Sequence, residues 1–200
     1  MKRFSYSSLP ALLLVVLMAG CDTRTPTNVH FVPNGNGPLS SLKPKTVLVQ
    51  VEDQRPPEEK DSVYQIVATG GTETWYTKKP VPLIVRDALI SELSKCGHRA
   101  VADPGTTTNV RVKIVLKRFR AFISTSIFSH SLEAQVDAEI LVANEAGKAT
   151  SPPFQISGDY LRKSKSSLLP ASDAEKSLSA ALADFIHNLT FDSRLVEAVQ

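Results

Sequence analysis

The stretch 110–117, VRVKIVLK, alternates apolar and basic residues, and the later stretch 132–142, LEAQVDAEILV, alternates apolar residues with acidic and amide ones. Alternation with a period of two is typical of a β-strand that buries one face and exposes the other. Antiparallel pairing of these strands would place opposite charges across the ladder, and each such pair adds roughly a few tenths of a kcal/mol. We therefore predict two long, half-buried strands whose exposed charges stabilise the sheet.

The alternation changes phase near Lys117. Before this point apolar residues occupy the even positions, whereas Phe119, Ala121 and Ile123 then occupy odd ones. A β-bulge adds one residue to a strand and so turns its other face toward the core. The sequence predicts a bulge here, and a contact with a partner at this kink is one interpretation of it.

Three further stretches predict strands. The β-rich run 46–52 is apolar almost throughout and is bounded by prolines, as expected of a buried central strand. Residues 63–68 and 72–77 flank a Gly-Gly pair, which predicts a short hairpin. Alternation resumes over 154–160, so the long strands are expected to continue into a meander.

Two stretches have helical periodicity. In the first, 82–95, apolar residues fall on one face, and Gly97 stands where a left-handed C-terminal residue is favoured. The second begins with a capping box at 172–175. Its apolar stripe consists of Leu178, Ala181, Leu182, Phe185, Ile186 and Leu189. A short helical segment is predicted after Asp192. The predicted fold class is α+β: an antiparallel or mixed sheet with two helices packed on one face.

The first 21 residues have the pattern of a bacterial lipoprotein signal. Lys2 and Arg3 form a positive n-region, and the apolar run 9–18 has the length of a secretory h-region but is too short to span a bilayer. The stretch 17–21, LMAGC, resembles the lipobox of bacterial lipoproteins. That resemblance implies cleavage before Cys21 and attachment of acyl chains such as palmitate to it. The alternative is an ordinary secretory signal with a chance cysteine.

Lipidation would place the protein in the bacterial cell envelope, facing the periplasm. Two or three acyl chains on one residue hold a protein stably on a membrane, so Cys21 would be the anchor. Asp22 resembles the signal that retains enterobacterial lipoproteins in the inner membrane, and anchoring in the outer membrane is the alternative. No cofactor is predicted apart from the covalent lipid on Cys21.

The charge balance argues against a nucleic-acid binder. The chain has 23 Lys and Arg residues against 20 Asp and Glu, a net charge of +3, whereas binding to nucleic acid needs a concentrated positive field. Once Lys2 and Arg3 are removed with the signal, 21 basic residues face 20 acidic ones. Two cysteines are too few for a disulfide scaffold, and Cys96 is interpreted as a small buried hydrophobe on the first helix.

Residues 22–44 contain four prolines and an Asn-Gly-Asn-Gly run with almost no apolar periodicity, which predicts a flexible linker. We therefore divide the chain into a signal peptide (1–20), a lipidated N-terminus with a flexible Pro/Gly/Asn linker (21–44) and a single α+β domain (45–200). The domain is expected to remain folded without the linker.

The order of these features resembles the YajG family of uncharacterised Gram-negative lipoproteins. The best local match is Val49–Arg55, and the spacings over 133–140 and 172–189 are similar. The resemblance extends over nearly the whole chain through short, mostly apolar motifs. Because the family has no established activity, the resemblance implies an envelope lipoprotein but assigns no substrate or catalytic residue.

No catalytic or metal-binding motif stands out. The sequence has no Gly-x-Ser-x-Gly, His-Glu-x-x-His, Cys-x-x-Cys or phosphate-binding Gly-x-x-x-x-Gly-Lys pattern. The four histidines are isolated from one another and from any cysteine, which argues against a zinc site. They are His30, His98, His130 and His187. We predict no catalytic residue, no metal site and no enzymatic activity.

Asp53 and Arg55 follow the predicted central strand and could hold a ligand at the rim of the sheet. The structural alternative is that Asp53 caps the next turn and pairs locally with Arg55. The sequence also has two basic clusters: Lys117, Arg118 and Arg120, and Arg162, Lys163 and Lys165. They could contact anionic lipid or lipopolysaccharide at about 1 kcal/mol per charge, or they could simply keep strand edges from aggregating.

These features predict a lipid-anchored, non-enzymatic envelope lipoprotein whose α+β domain binds another envelope component, either a protein or a glycolipid. The alternative is an auxiliary lipoprotein subunit of an envelope transport or assembly complex, by analogy with other small tethered domains. Nucleic acid is not an expected partner.

Overall fold

Strand β6 (Val110–Thr125) runs through the centre of the sheet in a computed structural model of the chain. The structure describes residues 23–60, 62–68, 71–125, 130–164 and 171–200. Strand β6 pairs antiparallel with β7 (His130–Asn144), and β7 pairs antiparallel with β8 (Phe154–Ser164). The two long strands and the meander that continues them are confirmed.

The other side of β6 carries two shorter strands in line. Strand β2 (Thr46–Asp53) lies parallel to the first half of β6, and β3 (Tyr64–Ala68) meets the second half at Ala121. Strand β5 (Arg99–Val101) lies parallel to β2 on its far side. Because β2 has a neighbour on each side, its residues 47–49 are buried, as predicted for a central strand.

The predicted hairpin is formed by β3 and β4 (Gly71–Thr77), which pair antiparallel; its turn, 69–70, lies outside the described residues. Strand β1 (Thr23–Thr27) lies parallel to β4 at the edge. Over the described ranges the sheet has eight strands and mixes parallel with antiparallel pairs, as the sequence predicts.

The predicted bulge is confirmed by a register shift in the β6–β7 ladder between Leu116 and Arg118. Strand β6 exchanges neighbours at the same place. The Leu116 carbonyl accepts from the backbone of Gln54, just after β2, whereas the Ala121 N–H donates to the carbonyl of Val63, just before β3. The change of phase in the sequence therefore marks an exchange of neighbouring strands within the sheet.

Two helices pack on one face of the sheet, as predicted. They are α2 (Val81–Lys95) and α3 (Ala171–Phe191), and they contact each other. Helix α2 ends before Gly97, whose φ of 93° lies in the left-handed region. The N–H groups of Gly97 and of the next residue bond back to carbonyls in the last turn of α2, which is a Schellman cap.

Helix α3 buries the stripe that its sequence predicts. Each member is at most 1% exposed: Leu178, Ala181, Leu182, Phe185, Ile186 and Leu189. The helix lies so close to β8 that a Cβ at Gly158 would be 2.3 Å from the Ala181 carbonyl oxygen and the Phe185 nitrogen. Glycine at 158 is therefore a packing requirement.

The final helix has a side-chain cap at its N-terminus. Asp192 caps α4 (Ser193–Val199), the predicted final segment, by accepting from the N–H of Arg194 at 2.9 Å. The capping box predicted at the start of α3 involves Ser172, whose side chain lies outside the described atoms. Oε2 of Glu175 accepts from the N–H of Asn28 at 3.4 Å.

Residues 28–42, which we call the N-terminal strap, lie against both helices. The apolar side chains of the strap that pack into or against the core are Val29, Phe31, Leu39 and Leu42. The N–H groups of Asn34 and Gly35 donate to the two carboxylate oxygens of buried Glu92, at 2.8 and 2.9 Å. This acidic residue on α2 thus fixes the middle of the strap.

The flexible linker predicted over 21–44 is therefore too long. From Thr23 to Leu42 the chain belongs to the domain, because β1 pairs with β4 and the strap packs on the helices. Prolines and the Asn-Gly run remove periodicity from this stretch. An irregular segment can still pack when its N–H groups find acceptors on neighbouring elements.

Candidate functional site

Asp53 is the last residue of β2 and Arg55 comes two residues later, and the structure brings their side chains into contact. Arg55 donates from Nε and Nη2 to the two carboxylate oxygens of Asp53, both at 2.9 Å, and from Nη1 to the Glu59 carbonyl at 2.8 Å. Burial opposes ionisation of Asp53, but the Arg55 guanidinium beside it holds the pKa of that carboxyl below its usual value. These contacts fix the turn from β2 into the one-turn helix α1 (Pro57–Lys60) and occupy both carboxylate oxygens.

A second ion pair joins α1 to β6. Arg120 donates from Nη1 to Oε1 of Glu59 at 2.9 Å, and its guanidinium carbon lies 5.3 Å from the ring centre of Phe122. Oε2 of Glu59 and Nε of Arg120 are buried without a hydrogen-bond partner in the described part of the protein. Both residues line a pocket of about 280 Å³, which is roomy enough for water to satisfy these atoms.

The first basic cluster is balanced by carboxylates on β7 and α1. Nη1 of Arg118 is 3.4 Å from Oδ2 of Asp137 on β7, and Nζ of Lys117 is 3.9 Å from Oε2 of Glu139. These pairs confirm the predicted meeting of opposite charges across the ladder. Since Arg120 has its own acidic partner on α1, every member of this cluster is balanced by a carboxylate.

The second basic cluster is only partly balanced. Nη1 of Arg162 is 2.6 Å from Oδ1 of Asp173, in the first turn of α3. Lys163 is exposed, and Lys165 lies outside the described residues. Of the two members that the structure describes, Arg162 is paired with a carboxylate and Lys163 is exposed to solvent without such a pair.

The outer edge of β8 is partly covered by side chains of α3. Asp184 accepts from the N–H of Asp159 at 3.1 Å, and Asn188 donates to the carbonyl of Ser157 at 2.9 Å. These contacts occupy backbone groups that another strand would need. They discourage edge-to-edge pairing at the middle of β8.

Cys96 and His98 have structural environments. Burial, together with the charge of Glu92, raises the pKa of the Cys96 thiol, as expected of a buried hydrophobe and not of a nucleophile. In buried His98, Nδ1 accepts from the N–H of Lys45 at 3.2 Å, and Nε2 lies 3.0 Å from the Leu39 carbonyl oxygen. His98, directly after the cap of α2, thereby connects this end of α2 to Leu39 in the strap and to Lys45.

The other histidines do not come together. Nε2 of His30 is 3.6 Å from Oε1 of Glu175, and the ring of His187 lies 4.2 Å from that of Phe191. The side chain of His130 is not among those described. In the ranges that the structure covers, no group of three or more His, Cys, Asp and Glu side chains is placed to hold a metal ion.

A cleft of about 510 Å³ lies where β1, α1 and β4 meet the start of α2. Three cations line it: Arg24 on β1, Lys60 at the end of α1 and Lys78 just after β4. We call it the cationic cleft. Asp61, which follows Lys60 in the sequence, lies outside the described residues; among those described, no carboxylate lines the cleft and none of the three cations forms an ion pair. Lys60 also acts at longer range, since its charge helps to lower the pKa of Asp53.

The start of α2 adds to the positive potential of the cationic cleft. Pro80 and Val81 line it, no side chain caps this end of the 15-residue helix, and the first turn has no acidic residue. Pro80 and Pro82 have no N–H, and the N–H of Leu83 donates to the Pro80 carbonyl at 2.9 Å, so among the described contacts Val81 is the residue of this first turn whose N–H can donate to an anion.

Sequence reasoning missed this cleft because its cations come from three separate elements. Arg24 also falls in the stretch that was assigned to a linker. The signal that points to the site is the basic turn Lys78-Lys79 directly before α2, followed by a first helical turn without an acidic residue.

A family model described as an uncharacterized lipoprotein matches residues 34–200. The match confirms the resemblance to YajG-type lipoproteins that the sequence shows. No curated protein matches the chain. Within the residues that the structure covers, no helix is both long and apolar enough to cross a membrane.

Solved structures resemble the chain in fold. The protein XCC0632 from Xanthomonas campestris has a TM-score of 0.57 at 14% identity, with 88% of this chain and 96% of that chain covered. A minor lipoprotein from Acinetobacter baumannii has a TM-score of 0.42 at 10% identity, with 76% and 93% covered. At this identity the first likeness supports the α+β fold alone.

Proposed function

The chain belongs to this family of uncharacterized lipoproteins, and on that premise we propose that it is a lipid-anchored, non-enzymatic lipoprotein whose α+β domain binds another envelope component, either a protein or a glycolipid. Family membership supports a place in the bacterial envelope. The lipobox-like stretch 17–21 supports Cys21 as the anchored residue, with the domain facing the periplasm.

The observation that carries this proposal is the position of β1. The strand begins at Thr23, two residues after Cys21, and pairs with β4 along its whole length. Two residues span at most about 7 Å. Lipid on Cys21 would therefore hold this edge of the sheet at the bilayer surface, with β1, β4 and the cationic cleft near the headgroups. A domain held so closely suits a ligand in the same membrane.

Mass spectrometry of the mature N-terminus tests the anchor. We expect a chain that begins at acylated Cys21 and sediments with membranes. The Cys21→Ser variant should lack the acyl chains. An unmodified Cys21 with a free amino group, or a mature chain that begins elsewhere, would contradict the proposal.

Density-gradient separation of the two membranes tests the part played by Asp22. We propose that the wild-type protein stays in the inner membrane and that Asp22→Ser moves it to the outer membrane. Recovery of the wild-type protein in the outer membrane would contradict this assignment and would leave the anchor itself intact.

Photocrosslinking in intact cells tests the binding face. A crosslinker at Tyr76, which is exposed on β4 and lines the cationic cleft, should capture an envelope component. The matched position is Leu161 on β8, which is also exposed and lies at the far side of the sheet, and it should capture none. A defined multiprotein complex on Tyr76 would favour the auxiliary-subunit function, and equal capture at both positions would contradict the proposed face.

A further inference from the structure

We propose that the cationic cleft binds the phosphate group of an anionic lipid headgroup in the membrane that holds the anchor. This inference deepens the proposed function, on which it rests, because it names a phosphate-bearing lipid as the envelope component. It is argued from the charge, shape and position of the cleft.

The charges of the cleft differ from those of the first basic cluster, Lys117, Arg118 and Arg120. Lys117, Arg118 and Arg120 each lie within 4 Å of a carboxylate. Arg24, Lys60 and Lys78 have no such partner in the described ranges, although they share one concave surface. Among the described residues, three cations that converge without a carboxylate leave a positive potential that an anion would neutralise.

The groups that line the cleft suit phosphate in particular. The planar guanidinium of Arg24 can donate two parallel hydrogen bonds to phosphate oxygens, and the ammonium groups of Lys60 and Lys78 add point charges. At the start of α2 the N–H of Val81 adds one backbone donor for a phosphate oxygen, since Pro80 and Pro82 have no N–H. A volume of about 510 Å³ is ample for the phosphate and part of the group that it carries.

The position of the cleft matches the depth of headgroups. Arg24 lies three residues after Cys21, a span of at most about 10 Å. Tyr76, which is 37% exposed, lines the same cleft, and tyrosine is enriched where membrane and water meet. A phosphate in the cleft would therefore lie at the surface of the bilayer that holds the acyl chains.

Vesicle sedimentation of the unlipidated mature chain tests the cleft apart from the anchor. The chain begins at residue 21 with Cys21→Ser, and the vesicles contain phosphatidylcholine alone or phosphatidylcholine with phosphatidylglycerol. In the cleft variant, Arg24, Lys60 and Lys78 are all replaced by Gln. This variant should bind the anionic vesicles about 100-fold more weakly, since each charge near an anionic surface contributes roughly a factor of five. Binding to neutral vesicles should not change.

A matched variant separates the cleft from net charge. Replacement of Arg111, Lys148 and Lys176 by Gln removes one arginine and two lysines from exposed positions outside the cleft. This variant should keep most of its binding to anionic vesicles. Equal losses in the two triple variants would show attraction by net charge alone and overturn the proposal.

Thermal melting of each variant checks that it folds. If the cleft variant is unfolded, the single variants Lys78→Gln and Lys78→Arg replace it. Lys78→Gln should lose about fivefold in binding to anionic vesicles, whereas Lys78→Arg keeps the charge and should bind like the wild type. Equal binding by both would overturn the proposal.

Inorganic phosphate distinguishes the two sources of this chemistry. In the wild-type chain, phosphate should shift the backbone amide resonances of residues 76–79, 81, 83 and 84 saturably, and the cleft variant should show no saturation. Such shifts without any difference in vesicle binding would assign the cleft to soluble phosphate and overturn the lipid source. A protein captured at Tyr76, with vesicle binding unchanged in the cleft variant, would assign the cleft to a protein partner instead.

The two proposals can fail separately. An unlipidated Cys21 in the mature protein overturns the anchor even if the cleft binds anionic vesicles. Equal binding of the two triple variants to anionic vesicles overturns the proposed phosphate site even if Cys21 is acylated.

Discussion

Helix α3 and the N-terminal strap contact each other, but different interactions hold them in place. Helix α3 buries an apolar stripe of six residues from Leu178 to Leu189. The strap buries Leu39 fully and three other apolar side chains only partly, and its backbone N–H groups donate to Glu92 on α2 and to Ser179 and Glu175 on α3. Burial of a continuous stripe stabilises the helix, whereas the strap depends on acceptors that other elements supply.

Removal of the strap should have the largest effect on stability. A mature chain that begins at Lys45 lacks Leu39, whose loss alone resembles a buried Leu→Ala change of about 2–5 kcal/mol, and leaves the buried Glu92 carboxylate without its donors. We therefore expect its free energy of unfolding to fall by at least about 4 kcal/mol, or its cooperative transition to disappear. This revises the expectation that the domain folds without residues 21–44.

Chemical denaturation of chains that begin at Thr23 and at Lys45 measures this difference. The chain from Thr23 keeps β1 and the strap and serves as the control. Equal stability of the two chains would show that the strap is dispensable and would restore the longer linker.

Phe185→Ala tests the stripe of α3. Phe185 is fully buried, so its truncation should lower the free energy of unfolding by about 3–5 kcal/mol. Lys176→Ala, at an exposed position of the same helix, should stay within about 0.5 kcal/mol of the wild type. Urea denaturation measures both variants, and a near-zero difference for Phe185→Ala would remove α3 from the core.

The same contrast explains which parts of the fold could be predicted from the sequence. The helices, the long strands and the bulge near Lys117 each leave a periodic or phase-shifted pattern in their own residues. The strap leaves none, because Asn34 and Gly35 bond to Glu92, which lies 58 and 57 residues away. The sequence does not indicate which distant N–H groups a polar residue on a helix will accept hydrogen bonds from.

The candidate site shows the same limit. Asp53 and Arg55 could be paired from the sequence because they are two residues apart at the end of one strand. The cations of the cleft come together only through the pairing of β1 with β4 and the placement of α1, which no local pattern specifies. Clustering in the sequence pointed instead to Lys117, Arg118 and Arg120, whose charges are balanced by carboxylates on β7 and α1.

Glu92→Ala should have an intermediate effect, since it removes the acceptors of Asn34 and Gly35 and leaves the apolar contacts of the strap. Hydrogen bonds to a charged group contribute about 1.5–3 kcal/mol each, and partial release of the strap to water offsets part of the loss, so we expect a fall of about 2–3 kcal/mol. Glu92→Gln keeps the length of the side chain and one acceptor and should lose about half as much. Denaturation measures both losses, and hydrogen exchange at Asn34 and Gly35 should accelerate in the same order. Faster exchange throughout the protein, without a local change in the strap, would contradict this role.

Ser179→Ala should have the smallest effect, because it removes one exposed contact. Oγ of Ser179 accepts from the N–H of His30 at 3.0 Å, and a neutral hydrogen bond of this kind contributes about 0.5–1 kcal/mol. Replacement of serine by alanine within a helix also favours the helix by a few tenths of a kcal/mol, roughly, so the net change in stability should be near zero. Ser91→Ala in α2 is the matched control, since Ser91 is also half-buried in a helix and gains the same helical preference. Ser179→Ala should therefore be less stable than this control by about 0.5–1 kcal/mol, and it alone should accelerate hydrogen exchange at His30. If both variants behave alike in stability and exchange, the start of the strap is not held by this bond, and Glu92 and Leu39 must hold the strap in place.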